Sequence, residues 1–146
     1  MTRWAPEKSD TLAALATEIL HNYSRGRVLV AVDGPDRVAA SGFADDVAAA
    51  VEGADHVAGR STADGLGDDA FRSQVAAPFR AADGDALLVV DHALTGRTGL
   101  SGAWNYAVWV VGDFVADRSP EERGRANAVI DASDPEHPRR LFDDAC

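Results

Sequence analysis

The residues best placed to do chemistry lie between Gly34 and Ser41, GPDRVAAS, where a run of apolar residues ends in Asp33 and gives way to a helical pattern. A turn that cradles phosphate reads G-x-x-x-x-G-K-[ST]. Its glycines let backbone N–H groups curl around the anion, its lysine reaches the outer phosphates, and its hydroxyl holds Mg²⁺. Here Gly34 and Ser41 occupy the first and last of those positions, while Ala39 and Ala40 stand where the second glycine and the lysine belong. Pro35 removes one N–H from the curl. Taken alone, these residues leave two readings open: a phosphate turn stripped of its cation, or an ordinary strand-to-helix turn. Candidate anion contacts are Gly34, Arg37, Val38, Ala39, Ala40, Ser41 and Gly42. The amides of Val38 to Ser41 would carry the binding, because helix N-termini attract anions even without lysine.

A second group sits where another apolar run, Ala86 to Val90, ends in Asp91 and His92. In an open parallel α/β sheet, groups at the carboxyl ends of adjacent strands line the ligand crevice. Asp33, Asp91 and His92 are therefore expected near one another. Ser41 with Asp91 would make a Mg²⁺ pair, and an acidic crevice without the lysine favours a cation over a triphosphate. The alternative is that Asp91 caps the following turn. Arg37 and Arg97 are the two cations that could replace the missing lysine, or both are simply solvated. The four histidines and the single cysteine share no zinc spacing, and neither G-x-S-x-G nor G-x-G-x-x-G occurs.

The elements that position these residues follow from periodicity. Ser9 is placed to cap a helix from Asp10 to about Asn22, with Leu12, Leu15, Ala16, Ile19, Leu20 and Tyr23 on one stripe. Val28 to Val32 is continuously apolar, as a parallel strand covered on both faces must be. Ser41 then opens a helix with Phe43, Val47, Ala50 and Val51 on its inner face, closed by Gly53. Asp55 to Gly59, including His56, reads as a short strand, and Arg60 to Asp69 as loop. A third helix starts at Asp69, carries Phe71, Val75 and Phe79 at spacing four, and is limited by Pro78. Strands follow at Ala86 to Val90, Tyr106 to Val111 and Ala128 to Asp131, with a short helix announced by Ser119, Pro120 and Glu122. The remainder, from Ser133, is a polar tail broken by prolines.

Three segments, in order, carry a resemblance: AVDGPDRVAASGFADDVAAAV from Ala31, LLVVDHALTG from Leu87 with WNYAVWV from Trp104, and AVIDASDPEHPR from Ala128. Together they resemble actinobacterial uridine-kinase-like proteins, whose versions run close to AVDGxDGSGKTTFADxLA, LLVDGxFL…WDLxVWL and VVIDNTDPxxPR. The resemblance implies a three-layer α/β domain of P-loop NTPase type, 1–146, with a five-stranded parallel sheet and helices on both faces. It also implies ATP and Mg²⁺ as cofactors where activity survives, or none. In that family the acid that takes the nucleoside hydroxyl proton lies in SxDDF; aligned on Ser61 its place falls to Ala63, leaving Asp64 as the candidate base or a solvated loop acid. The substrate-loop insertion and the arginine-rich lid are missing, leaving Arg118, Arg123 and Arg125 as a remnant of the lid or as an exposed helix side.

Composition bounds the partners. A formal net charge of -10 argues against nucleic acid and anionic membranes, since a polyanion needs more Lys and Arg than this chain carries. A small nucleotide or metabolite needs only a local site. The cysteine is Cys146, so no intrachain disulfide forms; with no signal peptide or long apolar run, a cytoplasmic location is expected. A homo-oligomer stays open. Three functions are in play: a catalytically impaired uridine-kinase relative with a residual nucleotide or anion site, an active ATP-dependent phosphotransferase on a nucleoside or small metabolite with a rearranged site, and an interaction module that uses no nucleotide.

Overall fold

In the computed structural model, which describes residues 7–112 and 120–141, one sheet carries the fold. Its order is β2-β3-β1-β4-β5-β6, with β1 at Arg27–Asp33, β2 at Ala58–Thr62, β3 at Ala86–Asp91, β4 at Tyr106–Val111, β5 at Ala128–Asp131 and β6 at Arg139–Leu141. The first five strands are parallel and β6 runs antiparallel to β5. The expected five-stranded sheet is therefore corrected to six, the extra strand coming from the tail read as irregular. Arg140 holds it down by pairing with Glu18 on the first helix, and Thr11 Oγ1 donates to the Pro138 carbonyl at 2.7 Å.

Alternation along β1 builds two cores. Val28, Val30 and Val32 face α1 (Lys8–Asn22) and α2 (Arg37–Gly53), packing against Leu15, Ile19, Phe43, Val47 and Val51. Leu29 and Ala31 face the other way, onto Phe71, Ala76 and Leu100. Helices thus cover both faces, and fully burying each Val, Leu or Phe contributes about 1.5–3 kcal/mol. Among the described residues no helix is long and apolar enough to cross a membrane.

Several boundaries differ from the pattern-based expectation. The first helix begins at Lys8 after Glu7 rather than being capped by Ser9. The second begins at Arg37, four residues before Ser41, so most of the expected loop is helix. The second strand is displaced from Asp55–Gly59 to Ala58–Thr62, which moves Arg60, Ser61 and Thr62 from loop to strand. His56 stays outside it, its ring against the carbonyls of Val57 and Ser24. The helical stretch opening at Asp68 comprises α3 (Asp68–Phe71), a wide π turn (Arg72–Ala76) and α4 (Ala77–Ala81), so Pro78 follows the π turn instead of ending the helix. The short helix α5 is Pro120–Arg125; Ser119 and Arg118 lie outside the described residues.

Candidate functional site

Two places at the carboxyl ends of the strands define the site. The first is the turn from β1 into α2. Its first helical turn carries no phosphate-facing loop, because Asp36 is the N-cap: its Oδ1 accepts from the amides of Val38 and Ala39, both at 3.1 Å. Ala40 N donates to the Asp36 carbonyl at 3.0 Å, as a regular helical bond. Three amides of the expected cradle thus have partners within the turn itself. An anion approaching them meets a carboxylate, which replaces attraction by repulsion at short range. Asp36 is a residue that reading the segment as a damaged phosphate motif overlooked. The signal was present, since Asp is a preferred cap and a helix can start directly after it.

Gly34 has a packing reason to be glycine. A Cβ there would lie 2.1 Å from the Val110 carbonyl oxygen on β4, so only a residue without a side chain lets β1 leave the sheet at this point. Asp33 is fully buried and serves as an anchor. Its Oδ1 accepts from Gly34 N at 2.8 Å, and its Oδ2 from Leu94 N at 3.1 Å and Thr95 N at 3.0 Å. It ties the loop after β3 to the end of β1, which is how a buried carboxylate is normally satisfied.

The second place lies between α2, β2 and β3. Parallel pairing puts Val32 opposite Asp91 and Asp91 opposite Thr62, so the expected meeting of β1 and β3 ends is present. Ser41 and Asp91 do come together, and a guanidinium stands between them. Arg60 Nη2 is 3.2 Å from Ser41 Oγ and 3.1 Å from Asp91 Oδ2, while Nε meets Asp45 Oδ1 at 2.8 Å. The same Nη2 donates to the Ser41 carbonyl at 3.2 Å. On the other side, His92 Nδ1 lies 3.1 Å from Asp91 Oδ1, off the direction of a good hydrogen bond. His92 adopts φ 54°, a left-handed turn that histidine tolerates better than most residues, and this swings its ring beside its neighbour's carboxylate. Burial would raise the Asp91 carboxyl, but the polar groups of Ser41, Thr62, His92 and Arg60 around it outweigh this and lower the group to about 2. Asp91 is therefore a firmly ionised, 3 % exposed carboxylate enclosed by its own protein.

The other sequence candidates are dispersed. Arg97 is turned into the fold, donating to the carbonyls of Ala63, Leu66 and His92 and pairing with Asp68 at 3.2 Å. It fastens the loop after β2 to the loop after β3. Arg37 is exposed on the first turn of α2, and Gly42 is exposed one turn on. Asp64 is exposed in the loop just past β2, its amide donating to Thr62 Oγ1 at 3.1 Å, and Ala63 beside it is fully buried. Arg60 and Asp45 are the site residues that motif reading missed. Among the described residues no group of three or more His, Cys, Asp and Glu is arranged to hold a metal.

With this geometry in hand, the chain falls in the class of α/β proteins built on a mostly parallel six-stranded sheet with helices on both faces. A solved structure described as a possible uridine kinase from Bacillus stearothermophilus superimposes with a TM-score of 0.58 at 11% identity, covering 69% of this chain and 79% of that one. That likeness establishes the shared fold. No protein-family model matches the sequence. No curated protein matches it either.

Proposed function

We propose that this protein is a catalytically impaired relative of uridine-type kinases, keeping the scaffold while its phosphate-binding turn is closed from within. The observation that carries the reading is the Asp36 carboxylate seated on the amides of Val38 and Ala39, where a cradle would present free N–H groups. The lost lysine, the alanine at position 39 and the exposed, unsupported Asp64 agree with it. Phosphoryl transfer consists mostly of positioning and charge neutralisation, so a turn that repels phosphate removes the main source of rate. At most a residual anion or nucleotide site remains on this reading, with ATP the nucleotide to test first. A small metabolite is the expected partner class, and nucleic acid is not.

The test is direct. Purified protein incubated with ATP, Mg²⁺ and a panel of nucleosides including uridine and cytidine should form no phosphorylated product, and ATP should leave its melting curve unmoved. A ligand at a hundred times its dissociation constant would stabilise the native state by about 2.7 kcal/mol, well within reach of a melting experiment. Product formation abolished by Arg37→Ala would instead restore the active phosphotransferase. A melting shift with ATP but no product would keep the residual nucleotide site. No shift with any nucleotide and no product agree with the closed turn and remove the residual nucleotide site as well.

A further inference from the structure

We propose that Arg60 is a built-in replacement for a divalent cation: its guanidinium fills the position between Ser41 and Asp91, and the protein binds no Mg²⁺ there. The closed phosphate turn lies on the β1 side of the crevice, and this second closure stands independently of it. The fit of a metal can be judged from the donors themselves. A Mg²⁺ ion needs near-octahedral oxygen ligands at about 2.0–2.1 Å and keeps several waters. Asp91 Oδ2 and Ser41 Oγ, the two oxygens that would supply it, both point at Arg60 Nη2, at 3.1 and 3.2 Å. Asp91 Oδ1 is covered by the His92 ring at 3.1 Å. With its carboxylate this enclosed, Asp91 has no free face for a hydrated ion. The donor set as arranged does not fit the metal.

The replacement is held from three elements. Asp45 on α2 takes Nε, Ser41 on α2 and Asp91 on β3 take Nη2, and the Ser61 carbonyl on β2 takes Nη1. A planar guanidinium suits this because it offers five donors in a fixed fork, and it stays charged at every accessible pH. Only 24% of its side chain is exposed, so its contacts are shielded from the screening that weakens surface pairs. One positive charge placed here neutralises Asp91 without leaving coordination sites for a ligand's oxygens. The charge of the carboxylate is therefore balanced in the resting protein by Arg60.

Mn²⁺ titration of ¹⁵N-labelled protein tests this without any nucleotide. In the wild type the amide signals of Ser41, Thr62 and Asp91 should stay sharp at Mn²⁺ concentrations that broaden exposed surface acids. In Arg60→Gln, which keeps a polar stem but removes the charge, those three signals should broaden first, with an affinity gain on the order of a hundredfold from removing a like charge at contact distance. The gain should vanish in Arg60→Gln with Asp91→Asn. Selective broadening in the wild type overturns the proposal, and so does a folded Arg60→Gln that gains nothing. Should Arg60→Gln fail to fold, Arg60→Met serves in its place. Should both fail, the Arg60 Nε–H signal of the wild type decides: slow exchange unaffected by Mn²⁺ supports the proposal, and loss of that signal at low Mn²⁺ overturns it. Because no phosphoryl transfer is measured, an active kinase and a metal-free Asp91 remain separable results.

Discussion

At the turn after β1, Asp36 reaches amides two and three residues away, whereas at the rim beside β3 Arg60 reaches partners 15, 19 and 31 residues distant. On the proposed reading, both contacts occupy groups that a phosphate or its metal would use. The first is a local device that any chain with this tetrad could form, and it needs only a helix to cap. The second exists only when α2, β2 and β3 are in register. Local closure should therefore be removable at small cost, while the rim should respond as part of the tertiary structure.

The largest effect is expected at the boundary of the two regions. Gly34→Ala places a methyl group 2.1 Å from the Val110 carbonyl and should lower stability in urea by on the order of 3 kcal/mol. A loss near zero would mean that β1 can leave the sheet differently, and that the close approach to Val110 is not what requires the glycine. Next comes the rim itself. Asp91→Ala leaves the half-buried Arg60 without its buried partner and should cost about 2–3 kcal/mol, less than the 3–5 kcal/mol of a fully buried pair because Asp45 remains. In a double-mutant cycle with Arg60→Ala the two losses should sum to clearly more than the double variant shows.

Acid sharpens the same contrast. The Asp91 carboxyl is lowered in the native protein to about 2, so its contribution is present above the unfolded value near 3.9 and disappears as pH falls through about 2. Between those values, about 2 kcal/mol of stability should be lost. The loss should be absent from Asp91→Asn, read as the denaturation midpoint against pH. The smallest effect belongs to the turn: Asp36→Ala removes a cap worth about 1 kcal/mol. Because it shares no partner with Arg60, its effect should add to that of Arg60→Gln within about 0.5 kcal/mol. Coupling larger than that would make the two closures one device.

What could be read in advance follows the same division. β1, β3 and β4 were legible because each is a continuous apolar run, the pattern of strands covered on both faces. β2 was misplaced by three residues because AGRST is small and polar, and its strand character comes from pairing with β3. β6 was missed because three residues, two of them arginine, carry no periodic signal before β5 is there to receive them. The meeting of the β1 and β3 ends was legible from topology alone, and it brings Ser41 on α2 close to Asp91 on β3. The guanidinium between them was not, since no local spacing encodes a contact between residues 60 and 91. The cap at Asp36 was legible by ordinary helix-start rules, and was hidden by fitting the segment to a longer motif.

The strand order has a consequence during synthesis. β1 is the middle of the sheet, yet both strands that flank it are made later: Arg27 pairs with Ala86 and Val30 with Tyr106. At about 5–20 residues per second, its most apolar segment leaves the ribosome and waits several seconds with both edges unpaired. Early in translation the growing polypeptide is thus a natural client for chaperones, before any crevice exists. Ribosome-bound chains halted before Tyr106 should be cut by protease within β1, and those released past Leu141 should resist it.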